Sequence, residues 1–150
     1  MNKVFLNVNF LVDGILRLLP TVMFYEQSDD EEIQDIYFEL NTGECFIKSK
    51  VCADFEYAIK YLQKSLPSNI DLACCQSCRH GNFCPYGDND NEIFCFKDIE
   101  IKNVHEVCLY FSDNSTIIIE RTRNLLDFCT DYKPISHNNF YTYNDWKLEL

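Results

Sequence analysis

The chain has 150 residues, of which 47% are hydrophobic and 15% aromatic, enough to bury a core and too apolar for a disordered chain. Four glycines and four prolines exclude collagen-like and low-complexity classes. Thirteen basic against 24 acidic residues leave a formal charge of −11, which argues against a broad nucleic-acid surface and fits a basic partner or simple solubility.

Residues 3–12 alternate apolar and polar side chains and predict a strand, and Asp13-Gly14 is a turn signal. Ile15–Tyr25 reads as a second strand in which Pro20 demands an edge position, a bulge or a break. Shorter strands follow at Ile36–Leu40 and Glu44–Lys50, joined through Asn41-Thr42-Gly43, so residues 1–52 predict an antiparallel β-meander. Asp54 is placed to cap a helix over 54–66, where Phe55, Ile59, Leu62 and Leu66 form one stripe at a 3.6-residue period and Pro67 ends it. Burying those four side chains on the meander would contribute about 6–12 kcal/mol before chain entropy is subtracted. Residues 68–96 hold few aliphatic side chains and many Cys, Asn, Asp and Gly, so this stretch needs another source of order. In the last section, 104–150, Glu106–Phe111 and Thr116–Arg121 predict a hairpin, and Asn124 a cap for a short helix to Cys129. Trp146, Leu148 and Leu150 alternate as a closing strand would. No repeat or linker interrupts the chain, so the expectation is one α+β domain over 1–150: an antiparallel sheet, one main amphipathic helix and a cysteine-rich, zinc-stapled loop.

The apolar N-terminal stretch is broken by Asn7, Asn9, Asp13 and Arg17, short of the roughly 20 residues a membrane helix needs. It also lacks a signal-peptide cleavage pattern, so a cytoplasmic location is expected. Nine cysteines cannot all pair internally, and in a reducing compartment clustered thiols read as metal ligands rather than as a disulfide frame.

The segment Cys74-Cys75-Gln76-Ser77-Cys78 carries a Cys-x2-Cys knuckle, a tight turn able to present two thiolates to one tetrahedral ion at about 2.3 Å. Cys95, at the end of a short strand over Glu92–Phe94, offers a third ligand, and Cys84, Cys129, Cys108 and His80 are candidates for the fourth. Structural zinc supplies roughly 10–16 kcal/mol of apparent binding energy in small peptides at neutral pH, which would offset the ordering cost of such a loop. Three other readings compete: buried free cysteines, a redox Cys-x2-Cys pair, and an iron–sulfur cluster, which Cys84-Pro85 and the nearby thiols would suit. Against the redox pair, the knuckle does not open a helix of a βαβ unit.

Residues Leu66-Pro67, Cys74-Cys75-Gln76-Ser77-Cys78, Pro85-Tyr86-Gly87 and Cys95-Phe96-Lys97 together resemble an uncharacterised bacterial family of unknown function. Its pattern runs Leu-Pro, Cys-Cys-x2-Cys, Pro-x-Gly and Cys-Phe-Arg, with a later cysteine that Phe128-Cys129-Thr130-Asp131-Tyr132 would match. The resemblance covers about half the chain. It implies Cys75, Cys78, Cys95 and Cys129 as a metal tetrad and implies no reaction. Lys97 stands where the family has Arg, the Glu-Thr before the late cysteine is absent, and Cys84 replaces a hydroxyl residue, which makes Cys84 the alternative fourth ligand.

Between Arg17 and Lys48 there is no basic residue, while Glu26, Asp29, Asp30, Glu31, Glu32, Asp35, Glu39 and Glu44 all fall there. This is either a face for a basic partner or a solvated loop, and Ser28 with Glu31 has capping-box spacing. Asp88, Asp90 and Glu92 only loosely resemble a calcium loop, because its glycine and terminal glutamate are missing. His80, His105 and His137 are scattered, with His80 a candidate to support the metal site from behind its ligands. No phosphate loop, dinucleotide fingerprint, serine elbow or metalloprotease helix is present.

The expected function is that of a non-enzymatic zinc-binding protein-interaction module with a basic protein partner and neither nucleic acid nor membrane, in the manner of an immunity-type protein. The alternative is a redox or iron–sulfur sensor.

Overall fold

The structure, a computed structural model, describes residues 1–87 and 91–146. The chain is mixed α+β and divides into two compact units, Met1–Leu72 and Ala73–Leu150.

In the first unit, β1 (Asn2–Val12) and β2 (Ile15–Gln27) form a long hairpin closed by Asp13 at φ 53° and Gly14 at φ 78°. Two positive φ angles in succession twist the turn as the strands twist, which is why Asp-Gly suits it. With β3 (Ile33–Asn41), β4 (Phe46–Lys48) and β5 (Ile70–Leu72) they make a curled antiparallel sheet in the order β4-β3-β2-β1-β5. Pro20 neither breaks nor bulges β2: it pairs with Asn7 in unbroken register, and β3 begins to pair one residue later, at Thr21. The irregularity lies on β3 instead. Asp35 and Ile36 oppose Tyr25 alone, and Asp35 takes the bulge with φ 52°. The acidic run forms the β2–β3 turn, where Ser28 and Glu31 close a turn (Glu31 N–H to Ser28 O, 2.9 Å) rather than start a helix.

Helix α1 (Phe55–Ser65) starts where the sequence predicts, the Asp54 carboxylate accepting from the Tyr57 N–H at 2.9 Å. It packs on β3 and β4 and buries Ala58, Ile59 and Leu62, while the sheet buries Val8, Phe10, Ile36, Phe38, Leu40 and Ile47.

The second unit is built on a small sheet of β6 (Gly81–Asn82), β7 (Glu92–Cys95) and β8 (Thr122–Asn124), β7 in the middle. The hairpin expected over Glu106–Phe111 and Thr116–Arg121 is not formed. Val104–Asp113 is a helix, α2, and Ile118–Arg121 a 3-10 turn. Asn103 caps α2 by accepting from the Glu106 N–H at 3.0 Å, while the Glu106 carboxylate reaches back to the Lys102 N–H. Val107 and Phe111, one helical turn apart, bury against Phe94 and Phe96, with Phe94 and Phe111 edge to face at 4.9 Å between centroids. One main helix is therefore two. The helix expected from Asn124 to Cys129 is also absent. Asn124 ends β8, and Asp127 folds back on it, its carboxylate accepting from the Asn124 N–H at 2.9 Å. The closing strand at Trp146, Leu148 and Leu150 falls largely outside the described residues, as does the Asp88–Asp90 part of the acidic loop. No helix among the described residues is long and apolar enough to cross a membrane.

Candidate metal centre

Cys74–Cys78 folds as a single 3-10 turn, with the Cys78 N–H bonded to the Cys75 carbonyl at 3.3 Å and the Cys74 N–H held by the Ser77 hydroxyl at 3.0 Å. The chain then reverses into β6, where Gly81 faces Cys95 of β7. The residues after β8 wrap the other side of the turn. The Cys75 N–H donates to the Asp127 carbonyl (2.7 Å), the Gln76 N–H to Leu125 (3.0 Å) and the Arg79 N–H to Lys133 (2.8 Å). Cys129 lies on this wrapping loop. The Cys75–Cys78 turn thus lies beside β6, which faces Cys95, and beside the loop that carries Cys129.

Burial, and then the charges of Cys74, Cys78, Asp127 and Cys95, push the Cys75 thiol up. Cys78 is raised by burial, relieved in part by backbone hydrogen bonds from Lys133 and His80, and raised further by Cys95 and Cys129. Lys97 is raised by its hydrogen-bonded ion pair with Asp131, and Cys129 and Cys95 add to that. Among the described residues no three His, Cys, Asp or Glu side chains stand together as a ready-made coordination shell.

The other candidates lie differently. Cys84 packs against the aromatic cluster of Phe94, Phe96 and Phe111. Cys108 is on α2, its carbonyl accepting from the Tyr86 hydroxyl at 3.4 Å. Cys74 is fully buried, and that burial lifts its thiol to about 11. His80 contributes its carbonyl to the Phe96 N–H (2.8 Å), and burial, with the charges of Arg79 and Lys97, lowers the pKa of its ring. Its buried Nδ1 has no hydrogen-bond partner among the described residues. His137 bonds the Trp146 carbonyl at 2.9 Å, and His105 is exposed.

Two supports of the centre have no signature in cysteine spacing. Asn144, buried, donates to the carbonyls of Gln76 (2.7 Å) and Gly81 (3.2 Å) and so pins the turn to β6. Arg121 donates to the Cys95 carbonyl (3.0 Å), the Tyr110 hydroxyl (3.1 Å) and the Asp98 carboxylate (2.8 Å), fixing the end of β7. The Arg121 guanidinium holds Asp98 below the usual carboxylate range. The stabilising charge is therefore complete above the ordinary value near about 4 and fades as pH falls through the lower folded value. A thermal-melt series from pH 6 to pH 2 is expected to show Asp98→Asn less stable than the wild type at pH 6, the gap narrowing as the pH falls toward the acid end of the series. A gap independent of pH would deny the pair its role.

No protein-family profile, no curated protein and no solved structure matches the chain.

Proposed function

We propose that this protein is a non-enzymatic binding module whose second unit is stapled by one zinc ion on Cys75, Cys78, Cys95 and Cys129. The observation that supports the reading is the backbone packing of the Cys75–Cys78 turn between β6, where Gly81 faces Cys95, and the loop after β8, which carries Cys129. Four thiolates around one ion carry a net charge of −2, and Arg79, Lys97 and Lys133, all acting on His80 beside the turn, supply cations that balance it in an otherwise acidic chain. A closed thiolate shell leaves no position for a substrate water, so the ion is structural. Cys129 is exposed on an irregular loop, which lets its sulfur close on the other three as the ion binds.

Metal-free, burial raises the thiols of Cys74, Cys75 and Cys78, the reverse of what a nucleophile or a fast redox thiol needs. A bound cation reverses that preference by taking the thiolate directly. The excess of acidic residues suits a basic protein partner, as in an immunity-type protein that neutralises a basic toxin.

Elemental analysis with a visible spectrum tests the reading. The expected result is a colourless protein with about one equivalent of zinc, released as the pH falls because protons compete for the thiolates. Absorbance near about 400 nm with iron present would replace it with an iron–sulfur centre, and protein that binds no metal after reduction and zinc loading would remove it.

A further inference from the structure

Residues 140–146 are an irregular segment that runs beside β6. Thr142, Asn144 and Trp146 alternate as its buried side chains. Phe140 at its head lies under the Arg79 guanidinium (5.1 Å) and edge-on to the His80 ring (6.1 Å). Five hydrogen bonds tie the segment to residues 76–83, the stretch that contains Cys78 and β6. Thr142 Oγ1 donates to the Arg79 carbonyl (2.7 Å), the Tyr143 N–H to Asn82 Oδ1 (2.7 Å) and the Phe83 N–H to the Tyr143 carbonyl (2.9 Å). Asn144 Nδ2 reaches two carbonyls at once, Gln76 in the turn (2.7 Å) and Gly81 in β6 (3.2 Å). Asn144 Oδ1 accepts from the Trp146 N–H at 2.9 Å, which fixes the amide and holds Trp146 in place. Asn144 therefore bridges the turn of Cys75 and Cys78 to the strand that faces Cys95.

We infer that residues 140–146 are a latch across the joint between the cysteine turn and β6, and that the latch must open before the ion proposed on Cys75, Cys78, Cys95 and Cys129 can leave. The inference rests on the zinc reading and adds how that site would exchange its metal. Withdrawal of the exposed Cys129 alone leaves three thiolates on the ion. Complete release requires Cys75 and Cys78 to part from Cys95, so the turn must lift from β6, and the two Asn144 bonds span that joint. The latch is also the part that opens first. Four of its five bonds to 76–83 use a side chain, whereas β7 is paired along its backbone with β6 on one side and β8 on the other. Tyr141 and Tyr143 rest on the aromatic cluster and supply the apolar contact that returns the segment to its place. A segment held in this way gates release without unfolding the sheet beneath it.

The test mixes the full-length, reduced, zinc-loaded protein with excess pyridylazoresorcinol, a coloured zinc chelator, well below the melting temperature. Absorbance follows the zinc, and the emission of Trp146, the chain's one tryptophan and 3% exposed, follows the latch. The rate is expected to become independent of chelator concentration, with the emission moving to the red no later than the zinc leaves. Asn144→Ala is expected to release zinc about tenfold faster and Thr142→Val about threefold faster, because each removes bonds that hold the latch down. Thr142→Ser keeps the hydroxyl and is expected to match the wild type. Ile118→Ala, which opens a cavity in the aromatic cluster, is the control for general loss of stability and is expected to stay within about twofold of the wild-type rate. Circular dichroism checks each fold, and the two Thr142 variants decide the matter if Asn144→Ala does not fold. Wild-type rates in the latch variants, equal acceleration by Ile118→Ala, or zinc transfer complete before the emission moves overturns the latch and leaves the zinc reading standing. Protein that takes up no zinc after reduction and loading removes the zinc reading and the latch with it.

Discussion

Replacing Cys75 by serine is expected to abolish zinc retention and to unfold the second unit while the sheet of the first unit stays intact. Structural zinc is worth about 10–16 kcal/mol in small peptides, as much as the roughly 5–15 kcal/mol that holds an ordinary domain together. The second unit rests on the few aromatic and aliphatic side chains around Phe94, Phe96 and Phe111, and its Cys-rich turn is ordered mainly by hydrogen bonds to other segments. A serine hydroxyl does not replace a thiolate on the ion, and three remaining ligands no longer lock the turn, β7 and the wrapping loop to each other. The measurement is zinc per chain alongside amide exchange across residues 73–146. Cys95→Ser is expected to behave the same way. Cys74→Ser and Cys84→Ser are expected to keep their zinc, because Cys74 lies fully buried on Ser77 and Cys84 lies on the aromatic cluster. A Cys75→Ser protein with full zinc and wild-type melting would refute the assignment, and loss of zinc in Cys84→Ser with retention in Cys129→Ser would move the fourth ligand to Cys84.

The first unit was legible because its signals are local. Alternation along 3–12, an Asp-Gly turn and a stripe from Phe55 to Leu62 behind a capping aspartate each depend on residues within one element. The second unit misleads for a specific reason. Val107, Leu109 and Phe111 alternate as a strand would, yet Val104, Val107 and Phe111 also fall on one helical face. Burial decides between the two patterns. Val107 and Phe111 are buried on Phe94 and Phe96, while Leu109 remains about half exposed. The cue that would have settled it was present, since Asn103 three residues before Glu106 is a capping pattern of the kind that served at Asp54. At Asn124 the same cue misfires, because Asp127 closes a β-turn back onto Asn124, its N–H donating to the Asn124 carbonyl and its carboxylate accepting from the Asn124 N–H, and the helix never starts. For the candidate site, spacing singled out the Cys75–Cys78 turn and Cys95, which β6 faces. The wrap of residues 125–135 and the anchoring by Asn144, bonded across 63 and 68 residues, are long-range facts that no spacing carries.

If the proposed zinc site is right, Gly81→Ala is expected to disable it without touching a sulfur. Gly81 does not need glycine for its backbone angles, since its φ is not in the left-handed region. It needs glycine for space. A Cβ there would overlap the Cys75 carbonyl oxygen and lie 2.8 Å from Ile93 Cδ1. Ile93 could turn aside, but the Cys75 carbonyl could not, because it accepts from the Cys78 N–H and its own residue's N–H is tied to Asp127 at 2.7 Å. Relief therefore requires the Cys75–Cys78 turn to lift away from β6, which also separates Cys75 and Cys78 from Cys95, the residue facing Gly81. Overpacking of side chains costs about 1–3 kcal/mol, and a clash with fixed backbone belongs at or above the top of that range. Gly87→Ala is the comparison: its φ of +73° is strained for alanine, but nothing lies within 4 Å. Its cost is the backbone preference alone, about 1–2 kcal/mol. The two substitutions add the same methyl group, so melting temperature should fall further for Gly81→Ala, and zinc should be lost only there. Equal destabilisation with zinc retained in both would mean that the approach of β6 to the cysteine turn does not hold the centre together.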